Sequence, residues 1–279
     1  MTQTTAEKRR RFAELHRAPG LFVMPNPYDV GSAKFLASLG FPAIATSSAG
    51  MAFAAGRPDG GIDRADALKH IGELAAAVDC PLNADFESGF AVDAEGVYES
   101  ARLVIGAGVA GFSIEDYVGQ GDAPLYTLAE AVERLRAARA AIDASGQTAL
   151  LTARSEAVWR ENGGGLPEAL RRLAAYADAG ADVLYAPGVK TPEEVAEVVR
   201  VAGSLPVNVL VGAPGFTRSQ LEDLGVKRIS TGGALARVAW GALLRAARDI
   251  AENGRFDAFA GLPSSKSIEA AFEPKGANR

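Results

Sequence analysis

Short apolar or β-branched runs alternate along the chain with longer segments whose apolar positions recur every three to four residues. The runs are LFVMP (21–25), AIATSS (43–48), PLNADFE (81–87), GFSIED (111–116), ALLTARS (149–155), VLYAPG (183–188), PVNVLVG (206–212) and KRISTGG (227–233). Each has the length of a buried strand. Between them lie segments such as LAEAVERLRAARAAID, where Leu128, Val132, Leu135 and Ile142 mark one face of a helix. Gly40, Gly108, Gly146, Gly180 and Gly225 each stand shortly before a strand, where a left-handed helix cap is expected. Eight strand–helix units in 279 residues predict an α/β fold of the (β/α)8 TIM-barrel type. An open doubly wound sheet would carry a glycine-rich nucleotide loop after its first strand, and none is present. Residues 254–279 exceed a bare barrel. There SSKSIEAAF predicts a short helix with Ile268 and Phe272 on one side, packed on the barrel or on another subunit. No linker-like stretch interrupts the chain, so residues 1–279 are expected to form one barrel domain with a C-terminal helical extension.

Composition narrows the partners. A net charge of -5, with Lys and Arg dispersed among Asp and Glu, offers no basic stripe for nucleic acid and no polybasic patch for a membrane. The one cysteine, Cys80, cannot form an internal disulfide, which suits a reducing compartment. The N-terminal MTQTTAEKRRRFAELHRAPG has no apolar core, and no later run reaches membrane-spanning length. A cytoplasmic location is expected.

Candidate chemistry sits where the runs end, because a barrel of this kind carries its site at the C-terminal ends of its strands. Asp85 and Glu87 are two residues apart in the third run, a spacing that puts both on one face of a strand. Glu115 and Asp116 end the fourth run, Arg154 the fifth, Ser47 and Ser48 the second, and Asn208 lies in the seventh. Converging carboxylates repel at low dielectric unless a cation holds them or some are protonated. Oxygen ligands without a well-placed histidine suit Mg2+ or Mn2+. The competing reading makes these acids surface groups paired with Arg or Lys, Arg154 an ion-pair partner of Glu115 or Glu156, and Ser47 and Ser48 turn formers or helix caps. His16 and His70 fall in helical segments and read as packing or surface residues.

Taken in order, FPAIATSSAG, NADFESGF, GVAGFSIED, LLTARSEA and ISTGGALAR resemble the isocitrate lyase/phosphoenolpyruvate mutase superfamily. The resemblance implies that Asp85 takes the place of a metal-binding Asp, with Glu87 replacing a second Asp by a longer side chain. It places Glu115 among the metal ligands, and Asp59 as an acid reaching the metal shell through water. Ser47, Ser48 and Ala49 fall where the family binds a substrate carboxylate, Arg154 matches an Arg that neutralises substrate oxygen, and Asn208 borders the pocket. Mg2+, a small 2-oxo or 2-hydroxy carboxylic acid, and dimers or tetramers that exchange a C-terminal helix are also implied.

The loop after the fourth run departs from the family. It reads YVGQGDAPLY and has neither the Cys and His of isocitrate and methylisocitrate lyases nor the Lys and Asn of phosphonate mutases. Pro187 stands where lyases tend to carry a Glu after the sixth run. Tyr117, Asp122 and Tyr126 occupy the place of the missing acid–base group. The expected function is a Mg2+-dependent carbon–carbon lyase or decarboxylase working through a metal-stabilised enolate, with Arg154, Asp59 and Tyr117 as catalytic residues. A P–C bond enzyme, a Schiff-base aldolase using Lys190 and a catalytically silent 2-oxo-acid binder are the alternatives.

Overall fold

The computed structural model describes residues 3–119 and 124–273. Eight parallel strands lie inside the eight predicted runs: β1 (Phe22–Met24), β2 (Ile44–Ala45), β3 (Leu82–Asp85), β4 (Gly111–Glu115), β5 (Leu150–Arg154), β6 (Val183–Tyr185), β7 (Val207–Leu210) and β8 (Arg228–Ser230). The helices are α1 (Thr5–Arg17), α2 (Val30–Ser38), α3 (Ser48–Ala54), α4 (Arg64–Ala77), α5 (Ala94–Gly106), α6 (Leu128–Ala144), α7 (Gly165–Asp178), α8 (Pro192–Ala202), α9 (Arg218–Asp223), α10 (Ala234–Asn253) and α11 (Ser265–Ala270). Each strand pairs with its sequence neighbour from β2 to β8, and β8 returns to pair with β1. The seam between β1 and β2 is held where Ala45 donates its N–H to the Pro25 carbonyl at 3.1 Å. Pro25 has no N–H to return, which ends the ladder there. The result is a (β/α)8 barrel.

Side chains alternate across this wall. Phe112, Ile114, Leu151, Ala153, Leu184, Val207, Val209 and Ile229 point outward into the layer packed by the helices. The opposite set points into the barrel, and the register runs Glu115, Arg154, Tyr185, Asn208, Arg228 from β4 round to β8. The glycines expected to cap helices all adopt positive φ, from +64° at Gly146 to +95° at Gly180.

The lower end of the barrel is closed by α1, whose Phe12 packs with Phe22, Met24, Ala43, Ala45 and Ala110. Charge does not keep this helix in water. Lys8 donates to the carbonyls of Ala75 and Val78 at the end of α4, and Arg9 donates to those of Ile105 and Val109 at the end of α5. Helix C-termini leave carbonyls unpaired, so these two cations are buried with their hydrogen bonds made.

The strands are shorter than the runs that predicted them. Pairing of β3 ends at Asp85, and Glu87 turns off at φ +46°, in the left-handed region that side chains rarely occupy. At β2 the chain leaves the sheet at Ser47, whose hydroxyl accepts the Gly50 N–H and starts α3. Helix α11 forms where it was expected, with Ile268 and Phe272 on its partly exposed side. Among the described residues no helix is long and apolar enough to cross a membrane.

Candidate active site

A cavity of about 730 Å3 opens at the C-terminal ends of the strands. Ser47, Ser48, Ala49, Asp59, Asp85, Glu87, Glu115, Tyr117, Arg154 and Asn208 all border it. Asp122 lies outside the described residues. Tyr126 joins the loop but is covered by the Arg134 guanidinium at 4.1 Å.

Arg154 is the hub. Its Nη1 lies 3.3 Å from Asp85 Oδ1 and 3.2 Å from Glu115 Oε2, and its Nε donates to Glu156 Oε1 at 2.6 Å. Burial by itself would lower the Arg154 pKa, yet Glu115, Glu156, Tyr185 and Asp85 hold it well above the ordinary value. Glu156 is fully buried and also accepts from Arg160 Nε at 2.7 Å. Arg160 in turn covers the Tyr117 ring at 3.7 Å, tying the loop after β4 to the loop after β5. The ion-pair reading of Arg154 is therefore realised, and the pairs point the same guanidinium into the cavity.

The second-strand turn is arranged differently from a vacant carboxylate cradle. Ser48 donates both its N–H and its hydroxyl to Asp85 Oδ2, at 2.9 and 3.0 Å. Ser47 spends its oxygen on the α3 cap. Asn26, at the end of β1, accepts from Thr231 and Gly232 N–H groups and donates to the Thr46 carbonyl, which fixes this turn against the loop after β8.

Asp116 does not belong to the anionic cluster in which the sequence pattern sets it. Strand alternation turns it outward, where it accepts from Tyr176 Oη at 2.6 Å, Arg172 Nη1 at 3.1 Å and the Glu156 N–H at 2.8 Å. Asp59 stands exposed at the rim of the cavity.

Three carboxylates remain: Asp85, Glu87 and Glu115. Burial raises the Glu115 pKa well above the ordinary range, and Arg154 offsets only part of this. Burial, reinforced by Asp85 and Asp59, pushes Glu87 up to about 7. Glu87 Oε1 is buried with no hydrogen-bond partner among the described residues. Arg134 anchors the strained segment that carries it, donating to the carbonyls of Ser88, Ala91 and Val92 at 2.6, 2.8 and 3.1 Å. An orphaned Glu87 carboxylate oxygen, with Glu87 and Glu115 held above the usual carboxylate range, fits a hard divalent cation in donor chemistry. Among the described residues, however, no three His, Cys, Asp or Glu side chains are already gathered as a coordination group. Arg154 stands between Asp85 and Glu115.

Sequence reasoning passed over several lining residues. Tyr185 and Arg228 share the inward register of Arg154 and Asn208, and Arg228 Nε donates to Asn208 Oδ1 at 2.8 Å. Strand parity alone identifies both as inward, but in their runs, VLYAPG and KRISTGG, the polar signal at the ends masks these interior positions.

Among solved structures, a candidate lyase/mutase from Burkholderia cenocepacia J2315 superposes with a TM-score of 0.92 at 45% identity, covering 96% of this chain and 97% of that one. An uncharacterized protein of Mycobacterium tuberculosis is 31% identical over 86% of this chain and 89% of its own length. The 2,3-dimethylmalate lyase of Eubacterium barkeri is 29% identical over 79% of this chain and 77% of its own. The family model for phosphoenolpyruvate phosphomutase matches residues 12–251, from the α1 plug to the end of α10. With the barrel, the acids on β3 and β4 and the arginine on β5 in place, this chain belongs to the phosphoenolpyruvate phosphomutase family, within the isocitrate lyase/phosphoenolpyruvate mutase superfamily.

Proposed function

We propose that the protein is a carbon–carbon lyase or decarboxylase acting on a small 2-oxo or 2-hydroxy carboxylic acid, with Mg2+ or Mn2+ held by Asp85, Glu87 and Glu115. The observation that carries this reading is Arg154, a buried cation fixed by carboxylates on β3, β4 and the loop after β5, with its guanidinium open to the cavity. When bound, the divalent ion supplies Lewis-acid polarisation of the substrate carbonyl.

Arg154 places positive charge beside the oxygen on which negative charge grows as the C–C bond breaks. That is the position from which a preorganised donor contributes most. Glu156 and Arg160 keep its planar fork from turning away. Ser48 orients Asp85 through its N–H and hydroxyl, and Arg134 holds the turn that presents Glu87. Tyr117, under Arg160, forms part of the mouth and limits water entry. Asp59 at the rim would act on the metal shell through water. The loop between β4 and α6 lacks the residues of known lyases and mutases, and decarboxylation of a 2-oxo diacid demands least from it.

Oxalate, a planar mimic of the pyruvate enolate, tests the binding half. At about 100 times its dissociation constant it should stabilise the protein by roughly 2.7 kcal/mol in a thermal scan with Mg2+, and not after chelation. Equal shifts with and without metal would move the acid to another site. A screen of 2-oxo, 2-hydroxy and phosphono acids with Mg2+, read by pyruvate release, tests the reacting half. Turnover of phosphono acids alone would replace the lyase by a P–C bond enzyme, and oxalate binding without any turnover would leave a 2-oxo-acid-binding protein.

A further inference from the structure

A lyase of the proposed kind needs a proton donor at the carbon that loses its bond, and the family's usual donors are missing from the loop after β4. One strand on from Arg154, in the same inward register, stands Tyr185. It is 8% exposed and lines the cavity, and its ring lies 5.3 Å from the Arg154 guanidinium carbon. Its backbone is locked, because β6 is paired on both sides and the Tyr185 carbonyl accepts the Ser155 N–H at 2.8 Å. The residue borders the cavity together with Arg154, Asp85 and Glu115.

The surroundings keep that hydroxyl protonated. Burial is the largest influence and, with Glu156 and Asp85 adding to it against Arg154 and Ser230, takes its pKa up to about 12. The neighbouring polar chain is oriented: Arg228 donates to Asn208 Oδ1 at 2.8 Å, and Asn208 Nδ2 donates to Ser230 Oγ at 2.9 Å. Ser230, the acceptor at the end of that chain, borders the same cavity as Tyr185. Tyr117, the other phenol at the mouth, has one face of its ring covered by Arg160 and sits on a loop instead of a strand.

We propose that the Tyr185 hydroxyl is the acid that protonates the substrate carbon after C–C cleavage, a role that rests on the lyase reading above. As the bond to the departing carbon breaks, its electron pair stays on the retained carbon and spreads onto the oxygen beside Arg154. The Tyr185 O–H bond then breaks, its electrons staying on oxygen, and its proton forms the new C–H bond. In a decarboxylation CO2 departs, and the phenolate recovers one proton from water. In a retro-aldol cleavage the hydroxyl that becomes the leaving carbonyl gives its proton to solvent as the C–C bond breaks, and the phenolate recovers one from solvent afterwards, so no net proton is consumed. A phenol suits this role because it resists ionisation at neutral pH, yet is far more acidic than the C–H bond it creates.

The same placement would let Tyr185 act only as a platform for the Arg154 guanidinium, and proton exchange separates the two roles. By microscopic reversibility, a donor to the enolate carbon of pyruvate also exchanges the pyruvate methyl protons, so exchange in D2O with Mg2+ can be followed by proton NMR without knowing the physiological substrate. Wild type should exchange above the solvent background. Tyr185→Phe, which keeps the ring, should lose about a hundredfold or more of that rate while keeping the metal-dependent oxalate shift. Exchange within about threefold of wild type in Tyr185→Phe would overturn the acid role, and with oxalate binding lost in Tyr185→Leu it would assign a platform instead. Loss of oxalate binding in Tyr185→Phe would equally overturn it, by making the hydroxyl a ligand contact. A wild-type protein that binds oxalate with Mg2+ but does not exchange pyruvate sinks this inference alone. One that does neither removes the lyase reading as well.

Discussion

Arg154 serves two physical ends that mutation can divide. Its guanidinium compensates Glu115 and Glu156, both buried, and Asp85 beside them. Removing one partner of a buried pair strands the other charge, typically at about 3–5 kcal/mol. Arg154→Ala is therefore expected to lower stability as well as turnover, and the turnover loss attributable to the missing donor is about 2.7–4 kcal/mol in activation free energy. Arg154→Lys is the cleaner variant. An ammonium restores charge but cannot contact Glu156 with one edge and Glu115 or Asp85 with the other, as the planar fork does. On any substrate that wild type turns over, the Lys variant should remain folded and bind oxalate while losing kcat by at least tenfold. A Lys variant with full kcat would show that the arginine is a structural clamp only.

Among the elements, α1 shows how a buried helix can be invisible in a charged sequence. His16 lies on it against the barrel floor, with Nε2 3.2 Å from Arg228 Nη1 and Nδ1 2.8 Å from the Phe12 carbonyl. Because guanidinium can only donate, Nε2 accepts and Nδ1 carries the proton, so the ring is neutral. Burial, then the positive charge of Arg228 and to a lesser degree Lys227, pushes its pKa down to about 3, against the hydrogen bond to Phe12. The folded value lies below the ordinary value of 6.5, so the unfolded chain takes up the proton first as pH falls. This contribution to stability is complete above about pH 6.5 and is lost progressively towards pH 3. His16→Gln keeps an acceptor and removes the titration. Urea denaturation at pH 7, 5.5 and 4 should show the wild type losing up to about 3 kcal/mol relative to this variant over the range. A difference that stays constant with pH would mean that His16 takes up its proton equally in the folded and unfolded states, and the buried neutral ring would be wrong. The strands and glycine caps are legible in the sequence because apolar runs and left-handed caps are local signals. The α1 plug is not, since Lys8 and Arg9 look solvated until the carbonyls of Ala75, Val78, Ile105 and Val109 are brought to them. In the site, Asp85, Glu115 and Arg154 are legible from strand ends. Asp116 is misplaced by that logic because the last inward residue of β4 depends on register, and the inward Tyr185 is hidden by its place inside its run.

At the scale of the whole molecule, the barrel leaves one large surface unexplained by its own packing. Of the described residues of α10 only Ala236 is buried, although the helix runs from Ala234 to Asn253. Trp240, Leu243 and Leu244 are 45%, 57% and 50% exposed and share the three-to-four spacing of one face, with Val238 at 68% nearby. The segment beyond continues the pattern: Phe256, Phe259 and Leu262 are 59%, 52% and 62% exposed, and Ile268 and Phe272 flank α11. A run of large apolar side chains this continuous is unusual on a monomer, and we propose that it is an association surface. It also touches the site, because Arg237 and the loop before α10 border the cavity while Trp240, Arg237 and Phe53 line a groove beside it. We expect a homodimer or homotetramer in which residues 234–273 of one subunit cover another, consistent with the C-terminal exchange anticipated from the sequence resemblance. Sedimentation equilibrium should give a mass at least twice 28.9 kDa. Leu243→Glu combined with Leu244→Lys leaves every buried residue untouched and should shift the protein towards monomer, with a fall in thermal stability that depends on protein concentration. If wild type sediments as a monomer at micromolar concentration, this surface has another partner. If the double variant stays oligomeric with unchanged stability, the subunits meet elsewhere.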